Sequence, residues 1–391
     1  MALSTLPLCY CTNVHAGRSV DEVLAGIDRY TVAVAERFDH PLSAGLWLAS
    51  PVASELAGSP SAMASFVDDL RSRALTCHTL NAFPFGNFHS ERVKDQVYLP
   101  DWADPARALY TQQCAVILSQ LLPGDVAEGS ISTLPLGFKG HSKSADLHAR
   151  CITALLDLAL FLDDLRQHSG KTIRLAIEPE PSCVLETTDE AIHFFHRLMT
   201  AADERSVGEV ARRHLGLCFD ICHQAVEFED VATSIAAIDG AGIRINKVHV
   251  SCALQIDHPA TNDDARAALR RYVEPRYQHQ TTAQTAAGAV VQVLDLSDEL
   301  LDAPPPAFRD AAAWRVHFHV PIGADRIGPL ATTRPALPAA FAAIANLPYA
   351  PHLEVETYTW DVLPNRGPVA LVDGLVDELK SAKDLIDAAR R

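Results

Sequence analysis

The sequence predicts one domain over residues 1–391, a closed (β/α)8 TIM barrel of the α/β class. Short strand-like runs alternate with longer amphipathic segments, and the runs number eight. A chain of 391 residues is within the range of a single barrel with insertions. An open doubly wound sheet shows the same alternation and is the alternative. The eight runs are Leu6–Thr12, Leu42–Leu48, Leu75–Phe83, Ile131–Leu136, Ile173–Pro179, Leu215–Ile221, Lys247–Cys252 and Leu353–Tyr358.

The segments between the runs carry apolar residues at helical spacing, as expected of helices that pack on a barrel. Asp189 and Glu190 lie near the start of one segment, where the helix dipole favours acidic side chains. The predicted helical segments are Val20–Phe38, Ala62–Ala74, Ala103–Leu122, Ser144–His168, Thr188–His196 and Val231–Ala241.

Two long segments exceed the connections that a minimal barrel needs. Phe83–Asp101 is a loop rich in glycine, proline and aromatic residues after the third run. Residues 253–322 form an insert after the seventh run, with strand-like stretches at Val290–Leu296 and Arg315–Ile322. The second stretch alternates with period two, which predicts an extra strand outside the eight. Because long ordered loops are often functional, we expect the insert to cover the mouth at the carboxyl ends of the barrel strands.

Charge and composition exclude several classes of protein. The 33 Lys and Arg residues against 49 Asp and Glu residues give a net charge of −16, which disfavours nucleic-acid partners. Hydrophobic residues at 48% and charged residues at 21% rule out a disordered chain. No stretch approaches the ~20 apolar residues of a membrane span. The opening residues lack a basic n-region and the nine cysteines are irregularly spaced, so we expect a reducing, cytoplasmic location.

An acidic residue ends the fifth run, at the level where the chemistry of parallel barrels gathers. Period-two alternation points Glu178 into the barrel interior, while Leu175 and Ile177 face the helices. A carboxylate in that position is costly unless it binds a metal ion or a substrate. The alternative is a structural ion pair with an arginine.

The sixth and seventh runs contribute two further candidate ligands and a loop histidine. Asp220 ends the interior face of the sixth run, and His223 follows in the next loop. The alternative is that Asp220 caps the next helix, a position that Asp commonly takes. His249 faces the interior in the seventh run, although a lone strand histidine is usually a core residue.

The eighth run places Glu354 and Glu356 on one face, and Glu356 is nearer the mouth. Glu354 either pairs deeper in the barrel with a Lys or Arg or takes the role of Glu356. The strand ends together supply Glu178, Asp220, His249 and Glu356, a set called the quartet below. Three carboxylates and an imidazole suit one divalent metal ion such as Mn²⁺, Mg²⁺, Co²⁺ or Zn²⁺. A bound cation also resolves the repulsion between the carboxylates.

These strand-end residues resemble the xylose isomerase-like TIM-barrel superfamily, which includes sugar isomerases, ketose 3-epimerases and endonuclease IV-like enzymes. A narrower set of strings looks like the metabolite traffic protein EboE family. That resemblance implies a role in moving or maturing a small metabolite within a biosynthetic cluster. The strings are Cys11-Thr-Asn-Val-His15, His78-Thr-Leu-Asn-Ala-Phe-Pro-Phe-Gly86, Val97-Tyr-Leu-Pro-Asp-Trp102, Glu178-Pro-Glu-Pro, His317-Phe-His-Val-Pro-Ile322 and Leu353-Glu-Val-Glu-Thr-Tyr-Thr-Trp360.

The superfamily resemblance implies that the quartet holds a single metal ion. In the epimerase branch two glutamates also exchange protons with a substrate carbon through an enediolate, so Glu178 and Glu356 are the implied catalytic residues. His223 would hold a substrate oxygen. Epimerases place a second glutamate shortly after their Glu-Pro, and Glu186 is the nearest candidate, at a longer spacing.

Five further residues near the first and third runs are candidates for substrate contacts. His15, His78 and Asn81 would grip substrate hydroxyl groups at the mouth. Phe85 and Trp102 would shield an intermediate from water, or would simply pack the long loop against the barrel.

Two candidates lie farther along the chain. Lys139, after the fourth run, would meet a phosphate group of a phosphorylated substrate. His319 shares one face of the predicted insert strand with His317. It would close over the site or add a metal ligand, unless the strand is an exposed edge.

Three functions fit these residues. The first is a divalent-metal-dependent isomerase or epimerase of a sugar-like or cyclitol metabolite. The second is a non-catalytic metabolite-binding or carrier protein that keeps the barrel and the metal site. The third is an endonuclease IV-like metallo-nuclease, which the acidic charge disfavours. For the first two the partner is a small molecule, and further partners are expected from the same biosynthetic cluster.

Overall fold

The computed structural model describes residues 3–141, 144–364 and 369–391 of the chain. Eight parallel strands close into a barrel with helices in the connections, so the predicted fold class is confirmed. Each predicted run overlaps one barrel strand. These strands are β1 Leu8–Cys11, β2 Leu42–Trp47, β3 Thr76–Asn81, β4 Glu128–Thr133, β5 Thr172–Ile177, β6 Leu215–Asp220, β7 Ile245–Val250 and β14 His352–Val355.

The strand register brings three ionisable residues side by side across the last strands of the barrel. The strands follow one another around the barrel in the order β1-β14-β7-β6-β5-β4-β3-β2. Asp220 on β6 pairs with His249 on β7, and His249 pairs with Glu354 on β14. Because side chains of paired residues on neighbouring strands point to the same face of the sheet, the His249 side chain has an acidic side chain on each side of it, Asp220 on β6 and Glu354 on β14.

The helices surround the barrel, and within the described residues none is both long and apolar enough to cross a membrane. Of the helices whose bounds follow, α3, α8, α9 and α11 to α15 lie outside the predicted segments. The helices are α1 Val20–Gly26, α2 Val32–Ala35, α3 Ser50–Gly58, α4 Pro60–Ser72, α5 Pro105–Leu121, α6 Leu147–Ser169, α7 Thr188–Glu204, α8 Gly208–His214, α9 Ile221–Val226, α10 Val231–Gly240, α11 Asp263–Leu269, α12 Asp298–Asp302, α13 Pro306–Arg309, α14 Ala336–Ala345 and α15 Val369–Ala389. Short 3₁₀ segments occur at Thr12–Val14, Lys94–Tyr98, Arg270–Tyr272 and Tyr358–Val362, and a π-helical turn at Ile27–Thr31 joins α1 to α2.

Local sequence signals explain the helix ends on either side of β5, namely the start of α7 and the end of α6. At the start of α7, the Thr187 hydroxyl accepts a hydrogen bond from the Glu190 backbone N–H, and the Glu190 carboxylate accepts one from Thr187. This capping box satisfies two amide groups that the helix leaves free. Helix α6, which precedes β5, ends at Gly170 with a φ of +71°, a conformation that glycine adopts without strain.

The segment between β7 and β14 contains a second, six-stranded antiparallel sheet in the order β10-β9-β11-β8-β13-β12. The predicted strand at Arg315–Ile322 is shorter than expected, since β11 ends at Val316. The Phe318 N–H donates back to the Val316 carbonyl over 2.7 Å, which turns the chain out of the ladder. The strands are β8 Leu254–Asp257, β9 Thr281–Gln284, β10 Val290–Val293, β11 Ala313–Val316, β12 Arg326–Ile327 and β13 Leu330–Thr332.

A fully buried arginine anchors the long loop after β3. The Arg107 guanidinium, on α5, donates to the carbonyl of Ala82 over 2.7 Å and to that of Phe83 over 2.9 Å. It also donates to the Pro100 carbonyl over 2.9 Å, at the far end of the loop. One side chain therefore holds both ends of the segment that forms part of the cavity wall described below.

We expect Arg107→Met to lower the free energy of unfolding by about 3 kcal/mol, because three buried carbonyls lose a donor at about 1 kcal/mol each. Urea denaturation followed by circular dichroism measures the change. Arg71→Met, an exposed arginine on α4, is the control and should change it by less than about 0.5 kcal/mol. Equally small changes in both variants would contradict the anchoring role.

Candidate metal centre

Four side chains at the carboxyl ends of neighbouring strands converge on one point. Asp220 ends β6 and His249 lies in β7, while Glu178 and Glu356 directly follow β5 and β14. All four are buried, and one ligand atom of each lies within 4.8 Å of those of the other three. The structure therefore brings together the four residues that the sequence predicts as metal ligands.

His249 lies at the centre of this quartet. Its Nδ1 is 2.8 Å from Glu178 Oε1 and 3.0 Å from Glu356 Oε2. Asp220 Oδ2 lies 3.6 Å from the same nitrogen. Three carboxylates thus face one imidazole nitrogen. Their ligand atoms lie within 4.8 Å of one another, a separation at which like charges repel strongly.

Glu354 lies on the opposite side of the His249 ring. Its Oε2 is 3.1 Å from His249 Nε2 and 2.6 Å from the ammonium group of Lys247. Metal-binding histidines commonly direct their second nitrogen at a carboxylate, which fixes the orientation of the ring. The geometry therefore favours Glu356 as the ligand and Glu354 as the carboxylate that orients His249.

The buried Lys247–Glu354 pair is held in place by its surroundings. Although burial alone would lower the pKa of Lys247, the charge of Glu354 raises it. Burial alone would raise the pKa of Glu354, but Lys247 and His249 lower it to about 2. A Cβ at residue 45 would collide with Glu354 Oε1, so Gly45 is required for this close approach. Both members of the pair are therefore charged at neutral pH.

Two asparagines hold Glu356. Asn13 Nδ2 and Asn81 Nδ2 each donate to Glu356 Oε1 over 2.9 Å, which leaves Oε2 facing His249. Asn81 is a predicted mouth residue, and the structure places it in the site. Asn13 is a contact that the sequence prediction misses. The sequence feature that points to Asn13 is its position two residues after the end of β1, at the same level as the other strand ends.

Asp220 is both a helix cap and a member of the quartet. Its Oδ1 accepts hydrogen bonds from the His223 backbone N–H over 3.0 Å and from the Ser251 hydroxyl over 2.7 Å. The first of these bonds caps α9. Its Oδ2 is buried and has no hydrogen-bond partner among the residues that the structure describes. The cap interpretation of Asp220 therefore holds for Oδ1, while Oδ2 lies 3.6 Å from His249 Nδ1.

The electrostatics of the quartet fit a divalent cation. Burial raises the pKa of Glu178 to about 7. Burial alone would also raise the pKa of Asp220, but the imidazoles of His223 and His249 hold it below its ordinary value. Within the described ranges, the quartet carboxylates form ion pairs with histidines alone. The donor set and the unpartnered Asp220 oxygen are thus consistent with a cation between these groups.

A cavity beside the quartet is lined by both polar groups and aromatic rings. Glu178, Glu356 and His223 contribute polar groups, together with both asparagines. A few convergent polar groups in a largely apolar pocket are typical of a small-molecule site. The aromatic lining consists of Phe83, Phe88, Tyr98, Tyr277 and Tyr358.

Glu180 is a second acid in this cavity, and the sequence prediction gives it no role. The Tyr98 hydroxyl donates to Glu180 Oε1 over 2.7 Å, and Oε2 has no hydrogen-bond partner in the described chain. Burial raises the pKa of Glu180 well above its ordinary value. Burial therefore favours the protonated form of this side chain. The sequence feature that points to Glu180 is its position two residues after Glu178 in Glu-Pro-Glu-Pro.

Two of the predicted mouth histidines lie away from the cavity. His15 packs on Tyr30, with ring centroids 4.6 Å apart, and its Nε2 is 3.3 Å from the Tyr10 hydroxyl. His78 lies inside β3, three residues before its end, and packs on His352 at the start of β14. The expectation that His78 lies at the mouth is therefore wrong, because β3 continues beyond it to Asn81.

The predicted aromatic shields, Phe85 and Trp102, also lie outside the cavity lining. The Phe85 ring packs edge-on against Tyr110 of α5, at 5.1 Å between centroids. The Trp102 indole N–H donates to Thr133 Oγ1 over 3.2 Å. Of the two interpretations, the structure supports packing of the loop against the barrel.

Lys139 and Glu186 pair with each other at a distance from the quartet. The Lys139 ammonium forms an ion pair with Glu186 and lies 3.2 Å from Glu190 Oε1. Glu186 Oε1 accepts a hydrogen bond from the Ser182 backbone N–H over 2.6 Å. Because two carboxylates already neutralise the ammonium, its surroundings do not favour a phosphate. Glu186 likewise does not line the cavity.

His223 and His319 lie next to Asp220. One ligand atom of each of these three residues lies within 4.8 Å of the other two, and all three side chains are buried. The exposed-edge alternative for His319 is therefore wrong. The chain leaves β11 at Val316 and carries His319 into the site, where its Nδ1 donates to the Glu356 carbonyl over 2.7 Å.

We expect Glu354→Gln to weaken divalent-metal binding by about 10–100-fold, because the amide supplies no charge to orient and polarise His249. Calorimetric titration of chelator-stripped protein with Zn²⁺ measures the affinity. Glu55→Gln, at an exposed position on α3, is the matched control and should bind as the wild type does.

The double variant Lys247→Met/Glu354→Gln removes both charges of the pair, so neither is left buried without its partner, and it separates loss of metal affinity from loss of the fold. Wild-type affinity in a folded Glu354→Gln protein would contradict the orienting role.

Solved structures similar to this chain are xylose isomerase-like TIM-barrel proteins. A xylose isomerase-like TIM-barrel protein from Mycobacterium smegmatis in complex with magnesium gives a TM-score of 0.54 at 11% identity, over 98% of each chain. The IolI protein with a bound zinc atom gives 0.52 at 13% identity, over 98% of this chain and 99% of that one. A D-psicose 3-epimerase with D-fructose gives 0.51 at 12% identity, over 97% and 99%.

No family model and no curated protein sequence matches the chain, so the resemblance to EboE proteins stays a prediction. At these identities the similar structures establish the fold alone. The chain is a closed TIM barrel whose structural neighbours are xylose isomerase-like.

Proposed function

We propose that the chain is a divalent-metal-dependent isomerase or epimerase of a sugar-like or cyclitol metabolite. The observation that carries the proposal is the convergence of Glu178, Asp220 and Glu356 on one nitrogen of His249. Their ionic partners in the described residues are histidines alone, so a divalent cation fits the position. Similarity of fold to a D-psicose 3-epimerase, and to proteins with bound zinc or magnesium, supports the proposal.

The quartet residues Glu178, Asp220, His249 and Glu356 would hold the ion. Three oxygen ligands and one nitrogen suit Mn²⁺, Mg²⁺, Co²⁺ or Zn²⁺. When bound, the ion would polarise a substrate carbonyl and the adjacent hydroxyl, which acidifies the C–H bond between them.

The two quartet glutamates would transfer the protons. Both line the cavity, where the carboxylate of Glu178 would remove a proton from the substrate carbon and Glu356 would return one, or the reverse. Return of the proton to the opposite face of the same carbon gives epimerisation, and return to the neighbouring carbon gives isomerisation. Asn13 and Asn81 hold Glu356 Oε1 and so fix the direction of this side chain.

The remaining cavity groups would bind the substrate and exclude water. Glu180 in its protonated form, which burial favours because it raises the pKa, would donate a hydrogen bond to a substrate oxygen. Tyr98 orients this acid through the hydrogen bond to Oε1. The rings of Phe88, Tyr277 and Tyr358 would cover the apolar face of a sugar ring and keep water from the reacting carbon.

The resemblance to EboE proteins supports a narrower proposal, in which the substrate belongs to a biosynthetic or trafficking pathway of a metabolite. Partners from the same biosynthetic cluster would deliver or receive it. A carrier that binds the metabolite without turnover would use the same cavity, so an experiment must distinguish binding from proton transfer.

We expect the metal-loaded protein to exchange a carbon-bound hydrogen of one member of a ketose, aldose and cyclitol panel with deuterated water, as followed by NMR. Glu178→Gln and Glu356→Gln should each slow exchange by about 10²–10⁴-fold, because each removes a proton-transfer group. Glu55→Gln should exchange at the wild-type rate.

Exchange that persists at the wild-type rate in both quartet variants would contradict the assigned roles. Saturable binding of a panel member without any exchange would favour the carrier.

A further inference from the structure

The cavity beside the quartet has a polar side and an apolar side. The polar side consists of residues at or just after the ends of barrel strands, namely Asn13, Asn81, Glu178, Glu180, His223 and Glu356. The apolar side comes from the loop after β3, the insert and the segment after β14, namely Phe83, Phe88, Val93, Val97, Tyr277 and Tyr358. We propose that the substrate is an uncharged molecule, with a polyol part bound by the polar side and an apolar group bound by the apolar side.

Two buried oxygens of the polar side have no hydrogen-bond partner among the described residues. They are Asn13 Oδ1 and Glu180 Oε2. Asn13 Nδ2 donates to the Glu356 carboxylate over 2.9 Å, so the other amide atom is an oxygen that can accept a proton from a hydroxyl group. Buried polar atoms without partners cost free energy. The hydroxyl groups of a polyol would satisfy both oxygens.

The apolar side contains a continuous aromatic patch. The ring centroids lie 5.0 Å apart for Phe88 and Tyr277, 5.1 Å for Tyr277 and Tyr358, and 5.6 Å for Phe88 and Tyr358. Val93 and Val97 extend this side with side chains that have no polar atom. A polyol that turned hydroxyl groups to this side would lose hydration without gaining partners. An apolar group gains free energy from the same burial.

The polar groups that adjoin the apolar side are mostly engaged within the protein. The Tyr98 hydroxyl donates to Glu180 Oε1 over 2.7 Å and accepts from Gln280 Nε2 over 2.8 Å. The side-chain amide N–H of Gln278 donates to a backbone carbonyl of the insert over 2.9 Å. The Tyr277 hydroxyl, in contrast, is buried and has no hydrogen-bond partner in the described ranges. We therefore expect the apolar group to carry one oxygen, as a phenol or an aryl ether does.

The charges of the cavity favour an uncharged substrate. Among the lining residues that the structure describes, Lys94 is the one lysine or arginine. Its ammonium donates to the carbonyls of Glu274 over 3.0 Å and Tyr277 over 2.6 Å, and to Asp295 Oδ2 over 2.7 Å. Because an ammonium has three N–H groups, none is left for an anionic ligand. A divalent ion would balance two of the three carboxylate charges of the quartet, so a phosphate group would meet a negative field.

This inference rests on the proposed function and adds the class of substrate to it. It also assigns a role to the two long segments that a minimal barrel lacks. Phe88, Val93 and Val97 come from the loop after β3, and Tyr277 comes from the insert. These segments would select the apolar group, while the strand ends bind the polyol.

Phenol and phenyl phosphate test the two properties, because both carry an apolar ring and they differ in charge. Full-length, Zn²⁺-loaded protein is titrated with each compound, and saturation-transfer difference NMR of the ring protons measures binding. We expect saturable binding of phenol and at least about 10-fold weaker binding of phenyl phosphate, which the carboxylates repel. This comparison uses the wild type alone, and so covers the case in which a variant does not fold.

Variants test where the ring binds. Phe88→Ala and Tyr277→Ala should each weaken phenol binding by about 10-fold, because each removes a ring from the aromatic patch. Tyr277→Phe keeps the ring and removes the hydroxyl, so its loss should be smaller than that of Tyr277→Ala. Phe161→Ala, half-buried on α6 outside the cavity lining, is the matched control and should bind phenol as the wild type does.

Three results would overturn the inference. The first is a folded wild type that does not bind phenol saturably. The second is unchanged phenol binding in folded Phe88→Ala and Tyr277→Ala proteins. The third is phenyl phosphate that binds as tightly as phenol, which would contradict an uncharged substrate.

The failure of this inference is distinguishable from the failure of the proposed function. Hydrogen exchange of a free sugar by protein that does not bind phenol would support the proposed proton transfer and overturn the apolar side as a substrate site. Phenol binding at the aromatic patch without exchange of any panel member would support the apolar side and favour the carrier over the isomerase or epimerase.

Discussion

Balance of buried negative charge at the carboxyl end of the barrel is the constraint on which the rest of this structure depends. Glu178, Asp220, Glu354 and Glu356 are all buried around His249. In the part of the chain that the structure describes, Lys247 is the one ammonium group that pairs with any of them. Carboxylates a few ångströms apart in a low-dielectric interior repel one another, so protons or a cation must neutralise the excess. Lys247 balances Glu354, and the other three acids face one nitrogen.

Several otherwise unrelated residues follow from this constraint. Gly45 leaves room for Glu354, and Asn13 and Asn81 hold one oxygen of Glu356 so that the other meets His249. Ser251 and the amino end of α9 occupy one oxygen of Asp220 and leave the second free. The insert contributes to the same region, because a ligand atom of His319 lies within 4.8 Å of one of Asp220 and because Tyr277, Gln278 and His317 line the cavity.

Much of this could be predicted from the sequence, because the relevant signals are local. Period-two alternation in buried runs located the eight strands, and the same alternation put Glu178, Asp220, His249 and Glu356 at strand ends that a closed barrel must bring together.

The remaining features depend on pairings between residues far apart in the chain, which no local pattern specifies. Alternation puts Glu354 and Glu356 on one face, and nearness to the mouth favours Glu356 as the ligand, but the sequence does not identify Lys247 on the neighbouring strand as the partner of Glu354. The pairing of Lys139 with Glu186 depends on the same kind of information. The order of the strands in the insert likewise comes from long-range ladders.

The central claim is that a divalent cation occupies the quartet, and anomalous diffraction from crystals of the full chain grown with Zn²⁺ tests it most directly. We expect an anomalous peak about 2.0–2.2 Å from His249 Nδ1 and from one oxygen each of Glu178, Asp220 and Glu356. Well-ordered density for these four side chains without an anomalous peak among them would contradict the claim, since the acids would then be neutralised by protons alone.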